Sequence, residues 1–574
     1  MKKLDYYKVP SISSLQEMLI NSANKHQNKI ALEDIAKTPI QKVSYNQLLE
    51  NVLKFGTALK NIGITERTHI SVISDNRVQW GITYLTAMVF NLVIVPIDKN
   101  LNTNEILNII HESNAEAIVF SEFFEALFRE KKYALKKLKY YISMDLPAEK
   151  DGFYSMSELI NNAGFVSINE LPKINPEDLA EIIFTSGSLG RAKGVMLSQK
   201  NICANLMAMT KMIEITPNDK FLSVLPMHHT YECTCGFLCP ISMGGSAHYA
   251  RSLKTILEDV QKVQATILLG VPLLFDKIFK RIYKTINEDK VKSKVVPPLI
   301  KATTILEKVG WKSVKKKVFN ELHERFGGHI RIFIAGGAAP DPKVAKGLRD
   351  FGFAFVQGYG LTETSPILAL NRLDYFKDDA AGLPLPGVEL KINNPSADGI
   401  GEVYAKGENV MLGYYKNETL TADAFEDGWF KTGDLGFIDS DGFLHISGRK
   451  KNVIIANNGK NVFPEEIEDL LNRSPFILES LVFGQKDEKH DEIIVAQIVT
   501  DAEAFIEYAE VNNLQIDPEM INKIIDNVIK EVNKELPLYK QIRKFFIREK
   551  EFEKTTTQKI KRYLVNTEEQ KIRN

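Results

Sequence analysis

Short apolar segments alternate with helical patterns over most of the chain, and this alternation constrains the fold more than any other feature. The clearest example comprises apolar residues 330–334, a break at Gly336-Gly337, a helical pattern over 342–351 and apolar residues 353–356. The apolar residues are consecutive rather than alternate, which is typical of strands buried on both faces. Strand, helix and strand in this order form a parallel β-α-β unit. The sequence therefore predicts parallel sheets covered by helices on both sides.

The same order is found near the start of the chain. Ser44 and Gln47 form a Ser-x-x-Gln capping box, which predicts that a helix begins there. A predicted strand at 69–73, a helix at 78–90 and a strand at 92–97 follow. The early chain is therefore predicted to form a second β-α-β unit.

The pattern changes in the last third of the chain. Over 401–447, short strand segments are separated by turns such as Asp427-Gly428, which predicts a small antiparallel β subdomain. The residues after it mix helical and strand patterns, which predicts an α+β domain. We therefore predict an α/β fold with a large N-terminal domain at 1–450, made of parallel α/β subdomains plus the small β subdomain. A small α+β C-terminal domain at 451–574 is expected to follow it.

Composition and charge restrict the possible partners. The 574 residues include 73 Lys+Arg and 73 Asp+Glu, so the formal net charge is zero and a nucleic-acid partner is disfavoured. Four cysteines are too few for a disulfide scaffold, and the Cys233, Cys235 and Cys239 spacing favours buried packing over a zinc site. No signal peptide and no apolar run of the roughly 20 residues that span a bilayer is recognised. We expect a cytoplasmic protein, at most peripheral on the inner face of the membrane.

The segment 184–194 reads Phe-Thr-Ser-Gly-Ser-Leu-Gly-Arg-Ala-Lys-Gly and follows a predicted strand. Glycines let backbone N–H groups approach an anion, hydroxyls donate to it, and Lys193 adds positive charge. A phosphate-binding loop and a flexible surface loop both fit this composition. It is not the P-loop of nucleoside triphosphatases, in which Gly, Lys and Ser or Thr follow one another.

The segment 357–365 reads Gln-Gly-Tyr-Gly-Leu-Thr-Glu-Thr-Ser and follows the predicted strand at 353–356. In open α/β sheets, ligands bind at the carboxyl ends of strands. Tyr359 offers a stacking face for a base, and Thr362 and Glu363 offer oxygen ligands for Mg²⁺. A polar turn with a satisfied Glu363 explains the same residues equally well.

Two further segments contain residues suited to binding a nucleotide. The carboxylate of Asp434 can accept hydrogen bonds from both hydroxyls of a ribose, and Arg449 follows fifteen residues later. Two hairpins with Asp-Gly turns would explain the first segment without a ligand. Residues 554–562 combine three threonines with lysines and an arginine, and a solvated loop explains them as well.

Together these segments resemble one family, the adenylate-forming (AMP-binding) ligases, and most closely its long-chain fatty acyl-CoA synthetases. The family's phosphate loop, Tyr-Gly-x-Thr-Glu block, Thr-Gly-Asp block, Gly-Arg-x-Lys junction and terminal Lys-Ile-x-Arg are matched in order. The matching segments are 184–194, 359–363, 432–434, 448–451 and 559–562, with further similarity at 76–80, 225–232 and 458–468. The resemblance therefore extends over nearly the whole chain.

The resemblance implies an ATP-dependent fatty acid:CoA ligase that uses Mg²⁺ and coenzyme A, with a mobile C-terminal lid hinged at Lys451. Ser188 and Glu363 would hold Mg²⁺, and Glu363 and Lys559 would be the catalytic residues. The implied ATP and AMP ligands are Thr185, Ser186, Gly187, Ser188, Gly190, Lys193, Gly337, Gln357, Gly358, Tyr359, Gly360, Thr362, Asp434 and Arg449. The implied acyl and CoA region comprises His228, His229, Gly459 and Lys460, although the two histidines are also compatible with an ordinary polar loop.

Three residues depart from the family pattern. Leu189 replaces a hydroxyl and removes one phosphate donor, a bond worth about 1.5–3 kcal/mol. Ala192 replaces a proline, and Gln558 replaces a common glycine. Leu189 motivates one alternative outside enzymes, a nucleotide-binding regulatory protein without turnover. Within the family, an acyl-carrier-protein ligase and a fatty acyl-AMP ligase are the alternatives, and the oligomeric state is left open.

One segment is basic although the whole chain is neutral. Residues 276–317 contain 13 Lys/Arg and 4 Asp/Glu, with Trp311 and the run Lys315-Lys316-Lys317 near the end. Basic residues beside an anionic lipid surface contribute about 1 kcal/mol each. The segment suggests reversible contact with an anionic membrane, and a solvated helical face or attraction of CoA phosphates explains the charge as well.

Overall fold

The computed structural model describes residues 4–164, 167–185, 192–311, 313–487, 492–555 and 560–565. The strands in chain order are β1 Ile30–Asp34, β2 Gln41–Ser44, β3 His69–Ile73, β4 Val93–Pro96, β5 Ala117–Phe120, β6 Tyr140–Ser143, β7 Tyr154–Ser155, β8 Leu179–Thr185, β9 Lys193–Ser198, β10 Lys220–Ser223, β11 Ser246–Tyr249, β12 Ile267–Gly270, β13 Ile332–Ala335, β14 Ala354–Gly360, β15 Ile367–Leu370, β16 Leu383–Pro384, β17 Val388–Asn393, β18 Gly401–Gly407, β19 Gly413–Tyr414, β20 Phe425–Glu426, β21 Trp429–Ile438, β22 Leu444–Arg449, β23 Ile454–Ile455, β24 Asn461–Val462, β25 Ile477–Lys486, β26 Glu492–Thr500 and β27 Ile542–Arg548.

Helices connect most of these strands. The α-helices are α1 Leu15–His26, α2 Tyr45–Asn61, α3 Val78–Val89, α4 Thr103–Glu112, α5 Glu125–Lys131, α6 Met156–Asn162, α7 Gln199–Met212, α8 Cys239–Met243, α9 Ile256–Val263, α10 Pro272–Glu288, α11 Lys292–Lys308, α12 Val314–Val318, α13 Asn320–Arg325, α14 Pro342–Asp350, α15 Glu418–Ala424, α16 Pro464–Asn472, α17 Ala502–Asn512 and α18 Pro518–Glu535. A π-helix spans Tyr231–Leu238, and short 3₁₀ helices span Glu122–Phe124, Ile168–Glu170, Leu253–Thr255, Thr362–Thr364, Lys450–Asn452, Leu538–Lys540 and Arg562–Leu564.

The chain divides into two compact units. The larger unit comprises Met1–Leu390, Ala405–Phe430 and Ser440–Leu444, and the smaller unit comprises Lys391–Tyr404, Lys431–Asp439 and His445–Asn574. The smaller unit thus includes short stretches that precede residue 451. The domain limits at 1–450 and 451–574 stay a prediction.

The larger unit contains two mainly parallel sheets. The first has the order β16-β15-β14-β13-β12-β10-β11-β1-β2, and the second has the order β19-β9-β8-β4-β3-β5-β6-β7. Pairing is parallel through the middle of both sheets and antiparallel at β2, β9, β15, β16 and β19. Strands such as β4, β5 and β12 are buried at every position. The predicted α/β class and the β13-α14-β14 unit are confirmed.

A third sheet contains the predicted antiparallel subdomain. Its order is β17-β18-β21-β20, and β22 pairs with β21. Asp427 and Gly428 connect β20 to β21 with φ values of 50° and 78°. Positive φ at both positions is typical of the two-residue hairpin turn that matches the twist of its strands. The turn predicted from the Asp-Gly pair is therefore confirmed.

The end of the smaller unit has the predicted α+β composition. Its sheet has the order β25-β26-β27, and helices α16 and α18 contribute Ile467, Leu471 and Ile525 to a shared apolar core. No helix among the described residues has the length and apolar character needed to cross a bilayer. The four cysteines are buried thiols, and three of them lie on or next to the π-helix, in the core of the larger unit.

Candidate active site

The hairpin of β8 and β9 carries the two described ends of the predicted phosphate loop. Thr185, the last residue of β8, pairs with Lys193, the first residue of β9. Both side chains are half-buried at the carboxyl end of β8. Antiparallel pairing thus places a residue with a hydroxyl group opposite a residue with an ammonium group. The predicted ligands outside the described residues are Ser186, Gly187, Ser188, Gly190 and Lys559, and the departures Leu189 and Gln558 lie outside them as well.

Tyr414 connects two predicted site residues that are far apart in the sequence. It lies on β19 opposite Val195 of β9, two residues along β9 from Lys193. The Nζ atom of Lys193 is 5.1 Å from the centroid of the Tyr414 ring, a distance at which the ring face attracts a cation. The Tyr414 hydroxyl donates to Oε1 of Glu363 at 2.9 Å. One side chain therefore brings the predicted phosphate ligand and the predicted Mg²⁺ ligand together.

Two buried amides hold the turn that carries Glu363. Asn205 Nδ2 donates to the carbonyls of Thr364 and Ile367 at 3.3 and 2.7 Å. Asn409 Nδ2 donates to the same two carbonyls at 2.9 and 3.0 Å. Both asparagines are almost fully buried, so water does not compete for these bonds. The turn is therefore fixed from two sides, and with it the backbone of Glu363.

The glycines of the second motif allow close strand packing. β14 continues through 358–360 and pairs with β15. A Cβ atom on Gly360 would lie 1.7 Å from the carbonyl oxygen of Pro366, so no side chain fits there. A Cβ on Gly358 would lie 3.0 Å from a methyl group of Leu370. Tyr359, between them, is half-buried and lies opposite Ala369. Thr362 begins the following 3₁₀ turn.

Two further predicted ligands lie after β13 and on β14. Gly337 has φ of 86°, a left-handed conformation that favours glycine, although the space around it would accept a Cβ. Gln357 is buried and donates its amide nitrogen to the carbonyls of Asp378 and Ala380, at 3.1 and 2.5 Å. The Gln357 side chain therefore fixes the segment 378–380, and its oxygen finds no hydrogen-bond partner in the described part of the chain.

The smaller unit brings the predicted ribose ligands together. Arg449 Nε lies 2.8 Å from Asp434 Oδ1, and Arg449 Nη1 donates to the carbonyl of Thr432. Asp434 is nearly buried on β21, while Arg449 at the end of β22 is more than a third exposed. Lys451 lies in the 3₁₀ turn that follows. Arg449 therefore orients the carboxylate of Asp434, and part of the charged arginine side chain stays exposed to solvent.

The β23-β24 hairpin carries the remaining predicted CoA residues. Gly459 has φ of 76° in the turn between the two strands. The Nζ atom of Lys460 lies 5.1 Å from the ring centroid of Tyr539. Lys460 is exposed, so its ammonium group is accessible to a charged ligand.

Comparison with known families decides the class of protein. The profile of the AMP-binding enzymes matches residues 19–415, and that of the AMP-binding enzyme C-terminal domain matches residues 451–571. The chain belongs to the AMP-binding enzyme family. The resemblance to the adenylate-forming ligases is thereby confirmed.

Curated relatives of this AMP-binding enzyme include ligases of fatty acids. It is 28% identical over 547 residues to the long-chain-fatty-acid–CoA ligase FadD15 of Mycobacterium tuberculosis, covering 88% of this chain and 87% of the relative. It is 28% identical over 549 residues to the chloroplastic long-chain-fatty-acid–[acyl-carrier-protein] ligase of Arabidopsis thaliana, covering 83% and 75%. It is 28% identical over 505 residues to long-chain-fatty-acid–CoA ligase 1 of Homo sapiens, covering 82% and 71%.

Solved structures support the fold of this AMP-binding enzyme. The anthranilate CoA ligase AuaEII in complex with anthranoyl-AMP has a TM-score of 0.77 at 20% identity, over 98% of both chains. ATP-bound MatB from Rhodopseudomonas palustris has a TM-score of 0.77 at 23% identity, over 98% of this chain and 100% of that one. At these identities the likeness establishes the fold alone.

The histidine segment of this AMP-binding enzyme is a fixed part of the larger unit. Asn76 donates to the carbonyl of Leu225 at 2.6 Å and accepts from the backbone N–H of Met227 at 3.0 Å. His228 is buried, its Nε2 lies 3.6 Å from Asp98 Oδ2, and its ring centroid is 4.1 Å from that of His229. Burial lowers the pKa of His228 to about 3, so the imidazole is neutral near pH 7.

Two carboxyl groups of this AMP-binding enzyme are buried, which the sequence motifs did not indicate. Burial raises the pKa of Glu181 and of Glu232 to about 8 each, so both are protonated near pH 7. The Tyr84 hydroxyl donates to Glu181 Oε2 at 3.1 Å. Glu232 lies on the π-helix, where a Cβ on Gly236 would come within 2.5 Å of its Oε1. The burial of Glu181 could have been predicted, because it is a lone acidic residue inside an apolar strand.

Proposed function

We propose that this protein is an ATP-dependent fatty acid:CoA ligase. The fatty carboxylate attacks the α-phosphorus of ATP and pyrophosphate leaves, which gives acyl-AMP. The thiol of CoA then attacks the acyl carbon, and AMP leaves. The observation that carries the proposal is the array of Lys193, Tyr414 and Glu363, because it offers a cation for phosphate oxygens next to a carboxylate for Mg²⁺. The fatty-acid ligases among the curated relatives support the choice of acid.

The phosphate end of ATP is assigned to the larger unit. Lys193 and Thr185, with the hydroxyls of the connecting loop, bind the β- and γ-phosphates. Glu363 fits Mg²⁺, a cation that prefers oxygen ligands, because it is partly accessible to solvent and Tyr414 occupies only one of its oxygens. When bound, the ion neutralises phosphate charge. Ser188 is proposed as the second ligand on the resemblance alone.

The nucleoside end is assigned to residues that flank strands. Tyr359, with Gly337 and the backbone of 357–360, forms the slot for adenine. Asp434, oriented by Arg449, accepts hydrogen bonds from the ribose hydroxyls. Lys559 meets the attacking carboxylate and the α-phosphate and counters their repulsion, and this role rests on the resemblance of 559–562.

The second half-reaction is assigned to a rearrangement about Lys451, after which Gly459 and Lys460 face CoA. His228 and His229 border the acyl pocket, and a neutral His228 suits an apolar chain because it places no charge beside it. An acyl carrier protein is the second candidate acceptor. The name of the Arabidopsis thaliana relative favours it, since that protein is a ligase of acyl carrier protein.

Fatty-acid-dependent exchange of pyrophosphate into ATP tests the proposal. A panel of acids from short to very long, with CoA or acyl carrier protein added in parallel, should give exchange with at least one acid and a thioester of matching mass. A fatty acyl-AMP ligase would give exchange and no thioester. ATP binding without exchange for any acid would refute the ligase and support the regulatory alternative.

Replacing Lys559 with alanine separates the two half-reactions. Lys559→Ala should abolish exchange but spare thioester formation from supplied acyl-AMP, because the lysine acts in the first step only. Lys554→Ala is the matched control, since the Lys554 ammonium group is held by Glu479 at 2.7 Å and Glu551 at 2.9 Å. Equal loss of both half-reactions in Lys559→Ala would contradict this role.

A further inference from the structure

Helix α11 presents an apolar stripe to solvent. The stripe, here the outer stripe, recurs at steps of four, three, four, three and four residues, so it occupies one side of a helix about 25 Å long. Its members are Val291, Val295, Pro298, Ala302, Ile305 and Val309. All six are exposed. The four branched residues among them range from 45% exposed at Val295 to 70% at Val291, and Trp311 just beyond them is 65% exposed.

The opposite side of the same helix is packed. Val296 and Ile300 contact the apolar core of the larger unit, and Thr303 is buried. These three positions lie roughly 100–180° around the helix from the outer stripe at 100° per residue. The core therefore packs against one side of the helix, and the outer stripe lies on a different, solvent-exposed side.

Lysines run along one border of the outer stripe. Each of Val291, Val295, Ala302 and Val309 follows directly after a lysine in the sequence. These lysines are Lys290, Lys294, Lys301 and Lys308. Their side chains are exposed, and within the ranges that the structure describes they form no ion pair. Long aliphatic stems let such ammonium groups remain in water while the neighbouring apolar residues are buried.

Acidic groups are excluded from this surface. Between 290 and 311 the sequence contains one acidic residue, Glu307, which points away from the outer stripe. Its carboxylate is 2.9 Å from the buried ammonium group of Lys315. The expectation that Lys315 contributes to membrane contact is therefore wrong, because this ammonium group is buried between Glu307 and Asp350.

We propose that helix α11 docks on an anionic lipid bilayer, with its axis parallel to the surface and the outer stripe in the headgroup region. Exposed aliphatic residues bordered by lysines, with an exposed tryptophan just beyond the helix, are typical of this binding mode. When the helix is docked in this way, the enzyme has access to apolar molecules that are dissolved in the bilayer. It goes beyond the proposed function and does not depend on it.

The composition of the surface favours a bilayer over a protein partner. Protein interfaces are enriched in Arg and Tyr and depleted in Lys. The segment 290–311 contains no Arg and no Tyr, and its cations are lysines. A fluid bilayer also needs no complementary shape, so a straight line of branched aliphatic side chains is sufficient for it. Binding to an acidic protein, such as an acyl carrier protein, is the alternative that the test distinguishes from binding to a bilayer.

Vesicle binding of the full chain tests the proposal without any substrate. Vesicles of equal parts phosphatidylcholine and phosphatidylglycerol should sediment the protein at low salt, and added salt or pure phosphatidylcholine should release it. Trp311 is one of three tryptophans, so its emission should shift to the blue on binding, and Trp311→Phe should remove that shift. Absence of sedimentation with anionic vesicles at low salt overturns the proposal.

Charge and apolar variants locate the contact. Lys294→Gln, Lys301→Gln and Lys308→Gln combined should weaken partitioning about a hundredfold, since each lysine contributes a factor of about five. The control combines Lys25→Gln, Lys60→Gln and Lys254→Gln, three exposed lysines elsewhere in the larger unit, and should bind nearly as the parent does. Val295→Ser with Ile305→Ser should weaken binding at every salt concentration. Equal losses in both lysine triples, or salt-sensitive binding to an acidic protein but not to vesicles, would overturn the location or the partner.

Discussion

Replacing Tyr414 with phenylalanine should lower the rate of acyl-AMP formation while leaving the fold intact. The substitution removes the hydroxyl that donates to Glu363 Oε1 at 2.9 Å. It keeps the ring beneath Lys193 at a centroid distance of 5.1 Å. The change therefore acts on the predicted Mg²⁺ ligand and leaves the predicted phosphate ligand in contact with its ring.

The size of the effect follows from the surroundings of the bond. A hydrogen bond to a charged group contributes about 1.5–3 kcal/mol. Because Glu363 is only half-buried, water replaces part of the lost hydrogen bond, and we use the lower end of this range. That is about a tenfold loss of kcat/KM for ATP, since 1.4 kcal/mol is a factor of about ten. Tyr414→Leu also removes the ring and should lose a further factor of about two to five, from a cation–π contact worth roughly 0.5–1 kcal/mol.

A double-mutant cycle with Glu363→Gln tests the route of the effect. Pyrophosphate exchange is measured for the parent, each single variant and the pair, with thermal melting as a check on folding. If Tyr414 acts through the carboxylate, Tyr414→Phe should change the rate little once Glu363 is Gln, because the charged acceptor is gone. The same tenfold loss in both backgrounds would refute the reasoning.

Three other substitutions have defined outcomes. Asp434→Ala should raise the KM for ATP and leave the KM for the fatty acid nearly unchanged, because two ribose hydrogen bonds are lost; an unchanged ATP dependence returns Asp434 to a structural role. Lys451→Pro should spare pyrophosphate exchange and block thioester formation, because proline fixes φ near −65°; a normal second step would exclude Lys451 as the hinge. Burial raises the pKa of Glu181 from 4.5 to about 8, so the folded chain keeps a proton that the unfolded chain releases, and the free energy of unfolding should fall as pH rises through this range. Glu181→Gln cannot ionise and should flatten the fall of the melting temperature with pH, and an unchanged slope would contradict the burial argument.

Local signals were sufficient for the fold class. The capping box at Ser44 and Gln47 is confirmed, because both of its hydrogen bonds are present at the start of α2. The β13-α14-β14 unit is confirmed as well, but β14 runs on to Gly360, beyond the predicted end at 356. That extension depends on pairing with β15, a contact between strands that the apolar pattern of one segment does not contain.

Candidate ligands could be predicted from the motifs that carry them, whereas the residues that hold those motifs in place could not. Thr362 and Glu363 come from one motif and stay predicted ligands, whereas Asp434 and Arg449, predicted to bind the same ribose, are in contact in the structure. Asn205 and Asn409 were missed, because a buried asparagine that binds backbone carbonyls looks in sequence like any surface asparagine. Only the tertiary structure identifies which carbonyls need a donor.

Tyr414 contacts two residues of opposite charge, Lys193 and Glu363, that come from two different motifs. A lysine and a glutamate placed close together would form an ion pair, and a ligand would have to break that pair before binding either group. Within the described residues no ion pair joins Lys193 to Glu363; each instead contacts Tyr414, one through the ring face and the other through the hydroxyl. Both contacts are weaker than a desolvated ion pair, so they orient the two charges and still leave them available. If Lys193 and Glu363 bind phosphate and Mg²⁺ as proposed, the ligand engages both groups without the cost of separating them, which is the preorganisation that charge-stabilising sites require.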